Sequence, residues 1–406
     1  MRRTVLSLLS TVVALLFAGG AVLALPSEKA DETPMVNGTV RAIEQVGNNI
    51  WVGGKFTQVK QRNGTVVANV SNNLAVFDSE TNQYKDIAAL PKLGGTGAEV
   101  WDMTLYGENV LIAGNFSGPT STQRNLVLVK GAGANAGQVI QWYNSPSLKS
   151  ALAAPDLGRV YGGGVSLSAF ELSGKKLWTK AKTTVDSSLY STNAPSPSYR
   201  DLELDGQTIW AACACDAVGG KAAKALVKLD TDGNHASSWR AAADRGSWGM
   251  SVAQANGALY LGAGGSDYLA KFSKANGGNP NWLRDTSGSV QVVEVMDSQL
   301  VIGGHFWEVA DRPSDQPLDM VDKCGHGRSG DVDQNGIPTL DPNDKCMTRK
   351  GIASYSFDGQ LEPWSPTYAG KYSLVWALHV DGPRLHTGGE FLTVNGVTQN
   401  YYARLS

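Results

Sequence analysis

Ile50-Trp51-Val52-Gly53-Gly54-Lys55-Phe56 is an apolar strand ending in two glycines and, one residue on, a phenylalanine, and the chain repeats it about every 50 residues. Close copies are Val110-Leu111-Ile112-Ala113-Gly114-Asn115-Phe116, Leu300-Val301-Ile302-Gly303-Gly304-His305-Phe306 and Leu385-His386-Thr387-Gly388-Gly389-Glu390-Phe391. Weaker ones begin at Arg159, Ile209 and Leu259, which makes seven. Self-similarity at a fixed period of this size marks a propeller, solenoid or array.

A second regularity supports the first. Apolar segments beginning at Val40, Val100, Tyr199, Val290 and Val375 stand at one constant offset before their Gly-Gly strands. Tight-turn residues separate the two, as in Gly47-Asn48-Asn49, Gly107-Glu108-Asn109 and Asp205-Gly206-Gln207. Two apolar runs joined by Gly, Asn or Asp predict a hairpin. A third strand follows (Leu74–Asp78, Leu126–Val129, Leu226–Asp230, Leu269–Phe272, Ile352–Tyr355), then a stretch that often holds a tryptophan: Trp142, Trp178, Trp239, Trp282 or Trp364. Four strands per unit is the anatomy of a propeller blade. These Trp residues are expected to pack between blades, and the glycine pairs to admit a neighbouring backbone. The expectation is therefore an all-β, seven-bladed β-propeller occupying residues 25–406 as one domain. Met35-Val36-Asn37-Gly38-Thr39 is left over before the first unit, while the last unit stops after its third strand. The leftover segment is expected to supply the missing strand and close the ring, since free edges are a liability.

Composition narrows the class of protein. Arg2 and Arg3 precede an uncharged apolar run from Val5 to Ala24, and Val22-Leu23-Ala24 suits cleavage, so residues 1–24 read as a signal peptide. Losing the leader takes the net charge from −2 to −4. A nearly neutral chain of this length gives no reason to expect nucleic acid or an anionic membrane as partner. The mature chain is expected to be secreted or held at the cell surface, and monomeric.

The repeat residues resemble those of secreted β-propeller proteins with delta-60-type repeats, whose motif runs Leu-x-x-Gly-Gly-x-Phe, an Asn-Gly turn, then Leu-Ala-x-Phe/Leu-Asp. Leu385 to Leu405 carries the resemblance best, with Val394-Asn395-Gly396 and Tyr402-Ala403-Arg404-Leu405, and Ile352 to Pro366 adds to it. It spans nearly the whole mature chain. The resemblance implies an extracellular or cell-surface location and transfers no catalytic residue. A looser likeness to quinoprotein propellers rests on Leu229-Asp230-Thr231-Asp232-Gly233 up to Trp239, a blade-packing phrase and not a cofactor contact.

The sixth unit is about 30 residues longer than its siblings, an insertion over about 311–349. Cys324 and Cys346 bracket it and are expected to form a disulfide in an exported protein. Inside, Asp331, Asp333, Asn335 and the Ile337 carbonyl match the first half of a calcium loop, with Asp341 to complete it; Pro342 stands where a bidentate Glu is expected. A structural calcium ion is the reading, and a solvated Asp/Asn/Gly turn is the plainer one. Cys213 and Cys215 fit equally a Cys-x-Cys disulfide or two buried thiols.

No Gly-x-Ser-x-Gly, His-Glu-x-x-His or P-loop phrase occurs, and the five His are scattered. The expected site is therefore the mouth of the central channel. At the matched column of the innermost strands stand Arg41, Trp101, Ser150, Arg200, Gln291 and Trp376, with Trp248 close to that column. Such a ring suits a glycan, peptide or protein ligand gripped by stacking and hydrogen bonds; the plainer reading is that it plugs and solvates the channel. The function expected is a non-enzymatic extracellular binding or scaffold protein. The alternative is a polysaccharide hydrolase or lyase, which requires Asp102, Asp201, Glu99 or Asp244 to cluster as carboxylates near the channel. A quinone- or metal-dependent oxidoreductase ranks third.

Overall fold

The structure is a computed structural model, and it describes residues 25–70, 72–190, 194–243, 246–311, 324, 346–370 and 375–406. The signal segment and most of the insertion lie outside these. Among the described residues the chain is all-β, with two single 3₁₀ turns as its only helices.

Seven antiparallel sheets follow one another along the chain. Their second strands are Asn49–Gly54, Asn109–Ser117, Arg159–Gly163, Thr208–Ala214, Ala258–Gly264, Gln299–Gly304 and Arg384–Gly389, the seven Gly-Gly phrases of the sequence. Each lies between a first strand (Val40–Val46, Gly94–Tyr106, Ser150–Ala154, Ser198–Asp205, Trp248–Ala255, Val290–Met296, Val375–Asp381) and a third. The first, second, third and fifth sheets have a full fourth strand. In the fourth and sixth, that strand shrinks to the single bridges Leu229–His235 and Tyr355–Leu361. The poorly marked third unit has a regular first strand of five buried residues.

Where a phrase has its glycines, the two positions do different work. The first faces the neighbouring sheet. A β-carbon at Gly53 would stand 2.6 Å from Val100 Cγ1, at Gly163 2.9 Å from Tyr199 Cβ, at Gly262 2.8 Å from Val290 Cγ1, and at Gly303 2.6 Å from Val375 Cγ1. Each of these neighbours belongs to the first strand of the following sheet (at Gly163 the Ser150 hydroxyl of its own sheet also crowds the site), so the hollow left by a missing side chain seats the next sheet's valine or tyrosine. The second glycine faces its own sheet: a β-carbon at Gly54, Gly114 or Gly304 would collide with the carbonyl of Thr39, Glu99 or Ser289, just before or inside that sheet's first strand.

The same contacts run from the seventh sheet to the first, where a β-carbon at Gly388 would collide with Val40. First strands neighbour one another in chain order, and Val375–Asp381 neighbours Val40–Val46. Farther out, donors from one sheet reach carbonyls of the next. Trp51 Nε1 donates to Gly131 O at 3.0 Å, Tyr161 Oη to Thr231 O at 3.0 Å, Trp239 Nε1 to Ser273 O at 3.3 Å and Trp282 Nε1 to Phe357 O at 3.2 Å. Arg384 and Arg404 of the seventh sheet both donate to Ser79 O, after the third strand of the first, at 2.9 Å. Tryptophans of the fourth stretch thus pack between sheets, as their position in the repeat predicts.

One expectation is corrected. Met35–Val36 touches the last strand but does not pair with it; it pairs with Gln58–Lys60 in a small outer sheet. Residues just before it take that place: Ala30 bridges Leu405, Ser27 N donates to Ser406 O at 3.0 Å, Asp31 N donates to Arg404 O at 2.8 Å, and Asp31 pairs with the Arg404 guanidinium at 2.6 Å. Thr393–Val394 and Val397–Thr398 already form an outer hairpin beside Tyr368–Ala369, the counterpart of the one that receives Met35–Val36.

Both cysteine pairs are joined. Cys324 and Cys346 are bonded with Cα atoms 5.8 Å apart, and Cys346–Thr348 pairs with Glu308–Ala310 at the base of the insertion. Cys213 and Cys215 are bonded within one strand and its exit, fully buried. Asp331, Asp333, Asn335, Ile337 and Asp341 lie outside the described residues.

Candidate functional site

Six of the seven first strands carry a β-bulge at one place. Pairing with the second strand skips a residue between Val40 and Ala42, Val100 and Asp102, Tyr199 and Asp201, Gly249 and Ser251, Val290 and Val292, and Val375 and Ala377. The extra residues are Arg41, Trp101, Arg200, Met250, Gln291 and Trp376. A bulged residue leaves the ladder, and its side chain is re-aimed. All six line one cavity of about 390 Å³, within the ordinary range for small-ligand sites.

The column read from the sequence is thus a column of bulges, and Arg41, Trp101, Arg200, Gln291 and Trp376 stand together in it. Two expected members do not. Trp248 precedes the bulge by two residues and packs on Tyr190, ring centroids 5.9 Å apart, so Met250 replaces it in the wall. Ser150 belongs to the one first strand without a bulge, pairing directly with Gly163, and Lys149 just before it reaches the cavity instead.

At this level the cavity is cationic and aromatic. The Arg41 guanidinium lies 4.2 Å from the ring centroids of both Trp101 and Trp376, and Lys149 Nζ lies 2.8 Å from that of Trp101. Cation–π contacts of this kind contribute about 0.5–2 kcal/mol each. Arg41 Nε donates to Glu99 Oε1 at 2.7 Å, with Glu390 3.8 Å from its other arm. Arg200 has no hydrogen bond or ion pair among the described residues. Burial, and then Arg41, lowers its pKa; burial and then Arg200 push Lys149 down to about 7. Four buried atoms here have no hydrogen-bond partner among the described residues: Arg41 Nη1, Arg200 Nε, Gln291 Oε1 and Trp376 Nε1.

One residue past the bulge the wall becomes a set of struts. Asp102 accepts from Met103 N at 2.8 Å and, across to the third sheet, from Ala151 N at 2.7 Å. Asp201 accepts from Leu202 N at 2.8 Å and, across to the fifth sheet, from Ser251 Oγ at 2.8 Å and Val252 N at 2.9 Å; Ser251 Oγ in turn accepts from Val293 N of the sixth at 3.1 Å. Burial raises both carboxyls, and Asp201 raises Asp102 further. Their oxygens are occupied by backbone amides and, at Asp201, by the Ser251 hydroxyl.

Three residues past the bulge a second polar layer appears, at Glu44, Thr104, Glu203, Glu294 and His379. Burial pushes Glu44 and Glu203 up to about 7, and Glu294 up to about 8 with the carboxylates of Glu203 and Glu44 adding to it. His379 is pushed down to about 4, again mainly by burial. The cavity therefore passes from a basic, aromatic level to a layer of carboxyl groups. Among the described residues no group of three His, Cys, Asp or Glu is placed to hold a metal ion.

No protein-family model matches the chain, and no curated protein matches it in sequence. Solved structures similar to it include the computationally designed Ika8 protein, at 13% identity and TM-score 0.48, over 95% of this chain and 98% of that one. BamB from Moraxella catarrhalis is similar at 11% identity and TM-score 0.45, over 92% and 98%.

Of the carboxylates named for hydrolysis, Asp102 and Asp201 line the cavity as struts, Glu99 is held by Arg41, and Asp244 lies outside the described residues. The acidic layer and Lys149 were missed by sequence reasoning. Glu44, Glu203, Glu294 and His379 stand three residues after the mouth column, and that shared offset was the available signal. Among the described residues no other histidine lines the cavity: His386 is buried with Nδ1 2.8 Å from Tyr402 Oη, and His305 is exposed.

Proposed function

We propose that the seven sheets are the blades of one closed propeller, clasped where residues 27–31 meet the last strand, and that the chain is an exported, monomeric, non-enzymatic protein binding a ligand at the channel mouth. Closure is supported by the glycine hollow of the seventh sheet receiving Val40 and by Arg384 and Arg404 reaching Ser79 O. Export is supported by the apolar leader and two disulfides, which persist in oxidising compartments. Among the described residues no helix is long and apolar enough to cross a membrane.

One observation carries the binding reading: three donors and one acceptor, buried and unpaired, belong to side chains from four sheets that all line one cavity. Leaving such groups unsatisfied costs about 1–3 kcal/mol each, a cost that a bound ligand would remove. Arrays of extracellular glycans and peptides test it. Saturable binding lost on substitution of the mouth residues supports the reading; turnover of any bound compound counts against it.

The hydrolase reading retains one supporting observation. Burial raises Glu44 and Glu203 to about 7 and Glu294 to about 8, so that part of each carboxyl population keeps its proton near neutral pH, as a general acid requires. Release of reducing ends from a polysaccharide, abolished by Glu294→Gln, would replace the binding reading with this one. For the 331–341 loop, a structural calcium ion remains the proposal, supported by its oxygen spacing; a melting temperature unchanged by chelator would remove it.

A further inference from the structure

Resting on the binding reading of the channel mouth, we propose that its ligand is an acidic glycan, recognised through the carboxylate and neighbouring hydroxyl of a sugar-acid unit. The charge at the mouth gives the first half of the argument. Arg41 is matched by Glu99 and Glu390, but Arg200 has no partner among the described residues, and Lys149 lies on the Trp101 face with Glu99 near enough to act on it but no ion pair among the described residues. Arg41, Arg200 and Lys149 thus bring three cations to one cavity, where burial and the neighbouring cations lower the proton affinity of Arg200 and Lys149; such an excess of positive charge forms a site for an anion. A guanidinium presents paired donors whose geometry suits a carboxylate.

The second half comes from what is left over. Trp376 Nε1 needs an acceptor and Gln291 Oε1 needs a donor, and both residues line the same cavity as Arg200 and Arg41, whose Nε and Nη1 are also unpaired. A bare carboxylate satisfies the donors and leaves Gln291 without a partner. A hydroxyl beside the carboxylate accepts from the indole and donates to the amide, so the matching ligand is a hydroxylated acid. Neutral sugars stacked on the indoles fit less well, because Arg41 occupies Trp101 and Trp376, and Lys149 adds to Trp101.

Calorimetric titration of the full chain with D-glucuronic and D-galacturonic acid, against D-glucose and D-galactose, tests this at low and moderate salt. The uronic acids are expected to bind at least tenfold more tightly than their neutral counterparts, and more weakly as salt rises. Arg200→Gln is expected to weaken uronate binding at least tenfold while leaving the melting temperature unchanged or higher, because it removes an unpaired charge. Gln291→Leu is expected to weaken uronate binding and spare a simple carboxylate such as acetate. Equal binding of neutral and acidic sugars, unaffected by Arg200→Gln, would overturn the anion assignment and leave the binding reading standing. Saturation of the site by inorganic phosphate or by an acidic tetrapeptide as tightly as by uronate would overturn the sugar-acid assignment in the same way. Absence of any ligand on a broad glycan and peptide array would sink both.

Discussion

Gly388→Ala is the most direct test of how the seventh sheet meets the first. The added β-carbon would lie 2.9 Å from Val40 Cβ, closer still to Val40 Cγ1, and 3.3 Å from Ile43 Cδ1, where carbon atoms normally stand about 3.5–4.0 Å apart. Overpacking of this kind costs about 1–3 kcal/mol. Gly388 is not in the left-handed region, so alanine meets no backbone penalty and recovers about 0.4–1 kcal/mol of unfolded-chain entropy. The net expectation is a loss of about 1–2 kcal/mol. Val40→Ala alone deletes two methyl groups' worth of fully buried side chain, at about 0.8 kcal/mol per carbon plus a cavity term. Combined, the two changes partly cancel, because Val40→Ala removes the atom nearest the intruder. The double variant should be more stable than the sum of the singles by about 1 kcal/mol or more. Urea unfolding followed by the fluorescence of the 11 Trp measures all four proteins. Additivity within about 0.5 kcal/mol would mean that the two residues do not touch, and the closed ring would fall with that contact.

Other predictions follow from the channel and the staples. Glu294 should make stability fall as pH rises: below about 4.5 the carboxyl is protonated in both states, and between there and about 8 only the unfolded chain gives up its proton. At about 1.4 kcal/mol per pH unit, Glu294→Gln should gain a few kcal/mol over wild type between pH 5 and 8, read as the difference in unfolding midpoints; parallel pH curves would refute the shift. Asp201→Ala should cost about 1–3 kcal/mol by orphaning Val252 N and Ser251 Oγ, with ligand affinity at the mouth unchanged in calorimetry. Replacing both Cys324 and Cys346 with serine should lower stability by about 3 kcal/mol, the loop-closure value for a separation of 22 residues, and thermal denaturation reads it directly.

Sheet number and order were legible because a glycine or alanine recurs at the position where the next first strand approaches, and a recurring packing need leaves a recurring phrase. The mouth column was legible for the same reason: the bulge follows the residue that fills the hollow, so counting back from Gly-Gly finds it. Where the backbone departed from the repeat, counting failed. Ser150 was misplaced because its strand lacks the extra residue, and Trp248 because a large aromatic two positions early outweighed the modest Met250. The clasping strand was misassigned since Met35–Val36 reads as apolar and extended whichever sheet it joins, and only three-dimensional competition with the outer hairpin decides. The struts could not be foreseen at all, because a lone Asp in a strand does not reveal which backbone amide across the gap it will meet.

Bulged residues at the mouth also have an evolutionary consequence. Each stands outside the pairing ladder, so exchanging one leaves register, hydrogen bonding and interlocking valines intact. If the proposed binding at the cavity holds, chemical selectivity would rest on a handful of interchangeable positions on a rigid frame, and relatives of this chain could diverge in what they capture by point substitution alone.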